Sequence, residues 1–266
     1  LQKSDSVFAA QGAVMATRPS STKVTRKAAP EIEGNPVRNE LLRGLPPLES
    51  DLIFPQLTFV QMRTHDLLED VEQPIKYGYF VDSGLVSVLN VMKSGKSVEV
   101  GISGKEGCTA LPLAVGLKTS AARLVVQVAG TAFRISSEGL ARTLPRCPIL
   151  EKRMQQFGQI MAMQGAQVAA CNRLHEVDER LARWLLMTQD RIESEVIPLT
   201  HEFLAHMLGT RRSSVTVAAG LLQKAGLITY NRGSVNVENR ERLEDAACEC
   251  YELIRRHTEI WKRESV

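Results

Sequence analysis

Aromatic residues make up only 5% of this 266-residue chain. That is too few for sites built on ring stacking, such as single-strand nucleic-acid platforms or sugar clefts. Charge of one sign is equally scarce, because 33 Lys+Arg against 30 Asp+Glu leave a net charge of only +3. Any nucleic-acid partner must therefore be argued locally. No apolar run approaches the roughly 18 residues of a membrane-spanning helix, so no membrane partner is expected. Five cysteines without regular spacing do not form an extracellular disulfide framework and fit a reducing cytoplasm. Between Asn39 and Pro148 the single histidine is His65, which excludes the His-rich metal set of a cupin-type enzyme. A nucleophile elbow, a P-loop and a dinucleotide glycine motif are also missing, so the chain does not read as an enzyme.

What is present is globular, with 44% hydrophobic and 24% charged residues and a length suited to two domains. Residues 1–38 open with a Ser-, Thr-, Ala-, Lys- and Arg-rich stretch and are expected to be a disordered tail. A short helical turn around Glu40 to Leu42 should end at Gly44 and Pro46-Pro47. The β-rich pieces Tyr77–Val81, Leu85–Leu89, Ser97–Val100, Leu124–Val128 and Thr131–Ile135 follow, set off by Asp82-Ser83-Gly84, Ser94-Gly95, Gly101–Gly107 and Gly130. This spacing predicts an antiparallel β-roll of jelly-roll type over residues 39–147. The fold class is α+β.

Over 148–172 the period changes to seven. Leu150, Met154, Phe157, Met161, Gln164, Val168 and Cys171 fall at intervals of 4, 3, 4, 3, 4, 3, the seam of a long helix able to pair with its twin. Leu150 to Val168 are therefore the expected homodimer interface, with Gln164 fixing register. The alternative is a helix packed on its own barrel. Another helix is expected over Asn172–Arg191.

Residues 173–240 should hold a winged helix-turn-helix. In Ile197–Val217, Thr200 can cap a first helix, Gly209 tolerates a left-handed turn, and Thr210 can cap a second helix. On that second helix Val215, Ala218 and Leu222 share one face, while Arg212, Ser213, Thr216 and Gln223 share another. A helix in the major groove reads bases through its first turns, here Arg211, Arg212, Ser213 and Thr216. The Arg212 fork can donate two hydrogen bonds to a guanine. Gly226–Val237 reads as a hairpin wing turning at Arg232-Gly233. Across 196–240, Arg211, Arg212, Lys224, Arg232 and Arg240 face only Glu202 and Glu238. The segment is basic although the chain is not.

This order of parts resembles the Crp/Fnr family of bacterial transcription regulators, most specifically through Leu199-Thr200, Leu204-Ala205, Leu208-Gly209, Arg212, Val215, Leu222 and Gly226-Leu227-Ile228. The resemblance covers roughly Asn39 to Leu243. It implies a cyclic-nucleotide-binding-type β-roll, a dimerisation helix and a DNA-binding domain, with Arg212 at the family's base-reading arginine. Its expected partners are double-stranded DNA, a second copy of the chain and RNA polymerase. Ser213 stands where well-known members carry glutamate, so their half-site does not transfer. Cyclic-AMP-binding members carry a Gly-Glu pair for the ribose and an arginine for the cyclic phosphate. The corresponding residues here are Gly107 to Leu111 and Ser120 to Ala122. Thr109 lacks the carboxylate's acceptors and Ser120 lacks the charge. Arg123, three residues on, presents the reversed face. The roll is expected without ordinary cyclic-nucleotide control, with Lys118 or Arg123 as candidates for another anion.

His201 and His206 are i, i+5 and cannot share a metal as a zinc-protease pair does. Cys248 and Cys250 lack a second pair or nearby histidine in sequence, so no metal or cofactor is expected. Leu243, Ala247, Cys250, Ile254, His257 and Trp261 outline an amphipathic helix over 241–266. Taken together, the chain reads as a homodimeric, sequence-specific transcription regulator binding a near-palindrome. The alternative is an effector-binding or protein-interaction module that uses the roll and C-terminal helix without specific DNA binding.

Overall fold

The computed structural model describes residues 30–264 apart from 193, 195 and 232. It is an α+β chain, with the β-roll in front and the helical domain behind. A small hairpin of β1 (Glu31–Ile32) and β2 (Asn35–Pro36) opens it. Residues 30–38, the last part of the expected tail, are therefore structured, and the rest of that tail lies outside the described residues. Val37 is buried, and the Asp82 carboxylate accepts from the backbone N–H groups of Arg38 and Asn39 at 2.7 and 3.2 Å. The buried Asn39 amide donates to the carbonyls of Val81 and Gly107.

The first helix is α1 (Pro47–Ile53), with proline in its first turn. The turn around Glu40 to Leu42 ends at Gly44, ahead of the Pro46-Pro47 pair, which then opens the next helix. Proline's fixed φ suits the first helical position, where the missing N–H has no partner to lose.

The roll is a five-stranded antiparallel sheet of β3 (Thr58–Met62), β4 (Leu67–Glu69), β5 (Tyr77–Val91), β6 (Ser97–Ser103) and β7 (Arg123–Ser136). The short helix α2 (Leu111–Ala114) lies between β6 and β7. The order is β3-β7-β5-β6, with β4 also paired to β7. The breaks expected at Asp82-Ser83-Gly84 and at Gly130 are not turns. They lie within two long paired strands, where the register shifts around Ser83 and Leu85. Gly84 has φ +84°, and a Cβ on Gly130 would sit 2.1 Å from the Ser83 carbonyl oxygen. Glycine here lets two backbones meet at bulges, so the strands bend without ending.

After β7 come α3 (Ser137–Thr143), α4 (Pro148–Leu174) and α5 (Val177–Ile192). The expected continuation from Asn172 is thus interrupted after Leu174. Strand β8 (Val196–Pro198) leads to α6 (His201–Met207) and α7 (Arg212–Lys224). The hairpin of β9 (Ile228–Asn231) and β10 (Ser234–Val237) forms a three-stranded sheet in the order β8-β10-β9. Helices α8 (Arg240–Asp245) and α9 (Cys250–Glu264) close the chain.

The seam of α4 is used internally. Leu150, Met154, Phe157, Gln164 and Val168 are buried within a single chain, and Met161 is half-buried. Phe157 packs in the roll core, 6.0 Å ring to ring from Trp261 of α9. Gln164 accepts from Ile102 N–H at 2.8 Å and so satisfies the inner face of β6. These residues are therefore not available as the dimer interface expected from their spacing. A heptad stripe requires only that one face be buried, and the chain's own roll and α9 cover this one. The C-terminal stripe also shifts. Cys250, Tyr251, Ile254, Thr258 and Trp261 are buried, whereas His257 is exposed. Spacing near 3.6 residues per turn carries it off the seam.

Candidate nucleic-acid interface

The helix-turn-helix is built from local chemistry. The Thr200 hydroxyl accepts from Phe203 N–H at 3.2 Å and caps α6. Gly209 turns at φ +58°, and a Cβ there would come 2.8 Å from Val98 Cγ2 on the roll. Glycine is thus required both by the turn and by the close approach of β6. Helix α7 begins at Arg212 with Arg211 as its cap residue, and no side chain caps it. Thr210 therefore lies one position too early for the capping role expected of it; its backbone N–H instead bonds the Ala205 carbonyl at 3.0 Å.

Val215, Ala218, Ala219 and Leu222 are buried on one face of α7, while Arg211, Arg212, Ser213, Thr216 and Gln223 are exposed. The amphipathic division expected from the sequence is present. The Arg212 guanidinium lies 4.0 Å from the Glu202 carboxylate, with both side chains well exposed. Such a pair contributes little and separates readily. Thr216 donates to the Arg212 carbonyl at 3.0 Å and lies 3.1 Å from His201 Nδ1. The His201 ring stacks on Tyr230 of the wing with centroids 4.2 Å apart. Burial, followed by the nearby Arg212 charge, holds His201 below its ordinary value. His201 is thus an uncharged strut between the first helix, the second helix and the wing. Sequence reasoning missed this role, although an imidazole facing Thr216 across the turn was the available signal. Arg232 lies outside the described residues.

The first turn of α7 also shares a cleft with the β5–β6 hairpin, lined by Lys96, His206, Thr210, Arg211, Arg212 and Ser214 among others. Lys96 adds a cation beside the two arginines that no local motif revealed.

Residues 179–246 match a Crp-like helix-turn-helix domain. The chain has the Crp/Fnr fold. The match makes this segment a DNA-binding domain of the transcription-regulator class. FixK2 from Bradyrhizobium japonicum superposes with a TM-score of 0.62 at 14% identity, covering 72% of this chain and 98% of its own. The c-di-GMP-responsive global regulator CLP from Xanthomonas campestris gives 0.60 at 17%, again covering 72% and 98%. A CRP-family transcriptional regulator from Thermus thermophilus gives 0.56 at 18%, covering 71% and 96%. No curated protein matches the chain.

In the Crp/Fnr-type roll, Thr109 and Ser120 are brought together around a third residue. Both are buried, as is Glu69. The Thr109 hydroxyl accepts from Tyr79 N–H at 3.2 Å, and the Ser120 hydroxyl donates to the Ala122 carbonyl at 2.8 Å. Burial pushes the Glu69 carboxyl up to about 7, and the adjacent Ser120 and Thr109 hydroxyls offset this only in part. Arg123 is engaged elsewhere, donating to both Asp70 oxygens at 2.8 and 3.1 Å. Lys118 is exposed. The four candidate effector residues therefore do not converge on one cationic pocket.

One expectation is corrected outright. Cys248 and Cys250 do have the partners that their sequence neighbourhood lacks. Cys171 and His175, one turn apart at the end of α4, bring all four ligand atoms within 4.8 Å of one another. The Sγ atoms of Cys171 and Cys248 are 3.5 Å apart, and Cys250 Sγ is 3.6 Å from His175 Nδ1. The thiol–thiol hydrogen bond, with Arg183 nearby, holds Cys171 down to about 5, and it combines with burial to push Cys248 up. The four residues come from segments more than seventy positions apart, which spacing along the chain could not bring together.

Proposed function

We propose that the chain is a sequence-specific transcription regulator that binds a near-palindromic site as a homodimer, without control by cyclic AMP. The observation that carries the reading is the exposed polar face of α7, with Arg212 at its first turn. A guanidinium fork at a helix start fits the major groove, where bidentate contact to guanine discriminates between bases. Arg211 and Lys96 beside it supply phosphate contacts that position the helix without reading sequence. Two such helices related by a two-fold axis would engage half-sites about one helical turn apart.

Replacing Arg212 by Ala should cost about 1 to 3 kcal/mol on duplexes selected from a random library and little on random DNA. Binding isotherms at matched salt concentration measure this. Equal losses on both DNAs would reduce Arg212 to a phosphate contact.

Pairing of two chains is assigned to the outer face of α4. Gln155, Gln159, Ala162, Ala166, Ala169 and Arg173 are exposed there at intervals of 4, 3, 4, 3 and 4. Alanines at such positions let two helix axes approach closely. Ala166→Arg should give monomers in sedimentation while leaving the fold intact. A dimer unchanged by that substitution would remove this face from consideration.

Independence from cyclic AMP rests on Glu69. A buried carboxyl beside Thr109 and Ser120 offers a cyclic phosphate none of the positive charge it needs. Selection of bound duplexes with and without cyclic AMP or cyclic GMP tests this, and an altered selection with either nucleotide would overturn it.

A further inference from the structure

The geometry points to a mononuclear tetrahedral site for Zn2+ formed by Cys171, His175, Cys248 and Cys250, joining the end of α4 to the start of α9. Three thiolates and one imidazole are a common structural zinc set, with Zn–S near 2.3 Å and therefore S···S near about 3.8 Å around a tetrahedral ion. The observed Cys171–Cys248 separation of 3.5 Å and the Cys250–His175 separation of 3.6 Å fit one shared ion. They do not fit a disulfide, whose sulfurs lie about 2.05 Å apart. The four ligand atoms, all within 4.8 Å of one another, are also too close together for an iron–sulfur cluster, whose ligands are spread over two or more irons.

The surroundings supply what such a site needs. His175 turns Nδ1 toward the cysteines and places Nε2 3.0 Å from the Glu249 carboxylate. A carboxylate on the far nitrogen fixes the ring and strengthens it as a ligand. Gln167 donates its side-chain N–H to Cys250 Sγ at 3.1 Å, a contact suited to a thiolate. A Zn2+ ion with three thiolates carries net negative charge, and a buried cation lies close by. Arg183 is 3% exposed, and its one described hydrogen bond reaches the Met187 sulfur at 3.3 Å. A guanidinium so buried requires an anion in its vicinity. The three cysteines form their own buried cluster, away from Cys108 and Cys147 in the roll core.

The site would secure the long helix to the segment just beyond the winged domain. Binding would release the thiol protons, so affinity should rise with pH. The metal's presence would then bear on how the recognition domain is held, independently of any operator.

The test titrates apo protein, prepared under reducing conditions, with Co2+ and then Zn2+. One Co2+ per chain should bind with intense tetrahedral d–d bands and a sulfur-to-cobalt charge-transfer band, and Zn2+ should abolish both. Cys171→Ser, which leaves two of the three thiolates, should weaken the charge-transfer band and lower Co2+ affinity. Glu249→Gln, at a side chain 70% exposed and so without risk to the fold, should weaken Zn2+ affinity by about 10- to 100-fold. Weak octahedral bands, binding unaffected by either substitution, a Cys171–Cys248 disulfide in unreduced protein or an iron–sulfur chromophore would each overturn the assignment. The readout involves no DNA, so its failure is distinct from failure of the proposed regulatory function.

Discussion

Phe157→Ala should lower the unfolding free energy by about 3 to 5 kcal/mol, the range for removing a fully buried aromatic ring, and the loss should not depend on protein concentration. The ring is 1% exposed and packs against Trp261. It lies so close to the backbone of β6's outgoing loop that a Cβ on Gly107 would sit 2.0 Å from its Cζ. That loop cannot close over the cavity without moving Cys108 and Ala110, which belong to the same core. Collapse is therefore limited, and the cost should fall in the upper part of the range. If Phe157 were an interface residue, the variant would lose stability mainly through dissociation, and its deficit relative to wild type would change with protein concentration. A deficit relative to wild type that changes with protein concentration would return Phe157 to the interface. A charge at this position, as in Phe157→Glu, should abolish folding and not merely separate two folded chains.

Phe157 also illustrates what could be read from the residues alone. Its stripe and the helix that carries it were legible, because spacing encodes which face is apolar. The partner of that face was not, because the same stripe serves equally against a twin, a roll or a terminal helix. The recognition domain was more legible, since its determinants are local: a hydroxyl cap at Thr200, a left-handed turn at Gly209, and alternation of buried Val215 and exposed Thr216 within one helix. The limit of local reading appears one residue after Gly209, at Thr210, where a plausible cap lost its place to a helix that starts at Arg212. Gly84 and Gly130 show a different failure. Glycine marks turns and bulges alike, and only the pairing of β5 with β7 distinguishes them. The cluster of Cys171, His175, Cys248 and Cys250 lay beyond sequence reading altogether, because its two halves meet only after α4, the winged domain and α9 have packed.

Glu99→Gln should remove a pH dependence of stability worth roughly 2 to 4 kcal/mol, taking about 1.4 kcal/mol per pKa unit. The Glu99 carboxyl lies between the sheet and α5, where burial pushes it up to about 7 from the ordinary 4.5. Ser87, Trp184 and the more distant Arg183 and Arg191 charges oppose the shift without reversing it. Geometry gives an independent reason for a retained proton. Ser87 Oγ lies 2.7 Å from Glu99 Oε2 and 2.5 Å from Gln127 Oε1. With the Gln127 carbonyl oxygen turned to Ser87, one hydroxyl hydrogen cannot serve two acceptors, and the network closes when a protonated Glu99 donates to Ser87 and Ser87 donates to Gln127. Trp184 Nε1–H donates to the other carboxyl oxygen at 2.8 Å. Below about pH 4.5 the group is protonated in both folded and unfolded chains and contributes no pH dependence. Between 4.5 and 7 the unfolded chain releases the proton while the folded chain keeps it, so stability falls as pH rises. Above 7 the folded chain also releases it, and the loss is complete. The amide of Gln keeps an acceptor for Trp184 and a donor for Ser87, so it preserves the network at every pH. Urea unfolding at pH 5 and pH 8 should therefore show wild type losing stability relative to Glu99→Gln over that interval, with Glu69 contributing the same background to both. Parallel profiles for the two proteins would mean that Glu99 is ionised in the fold and that the buried arginines, not its proton, complete the network.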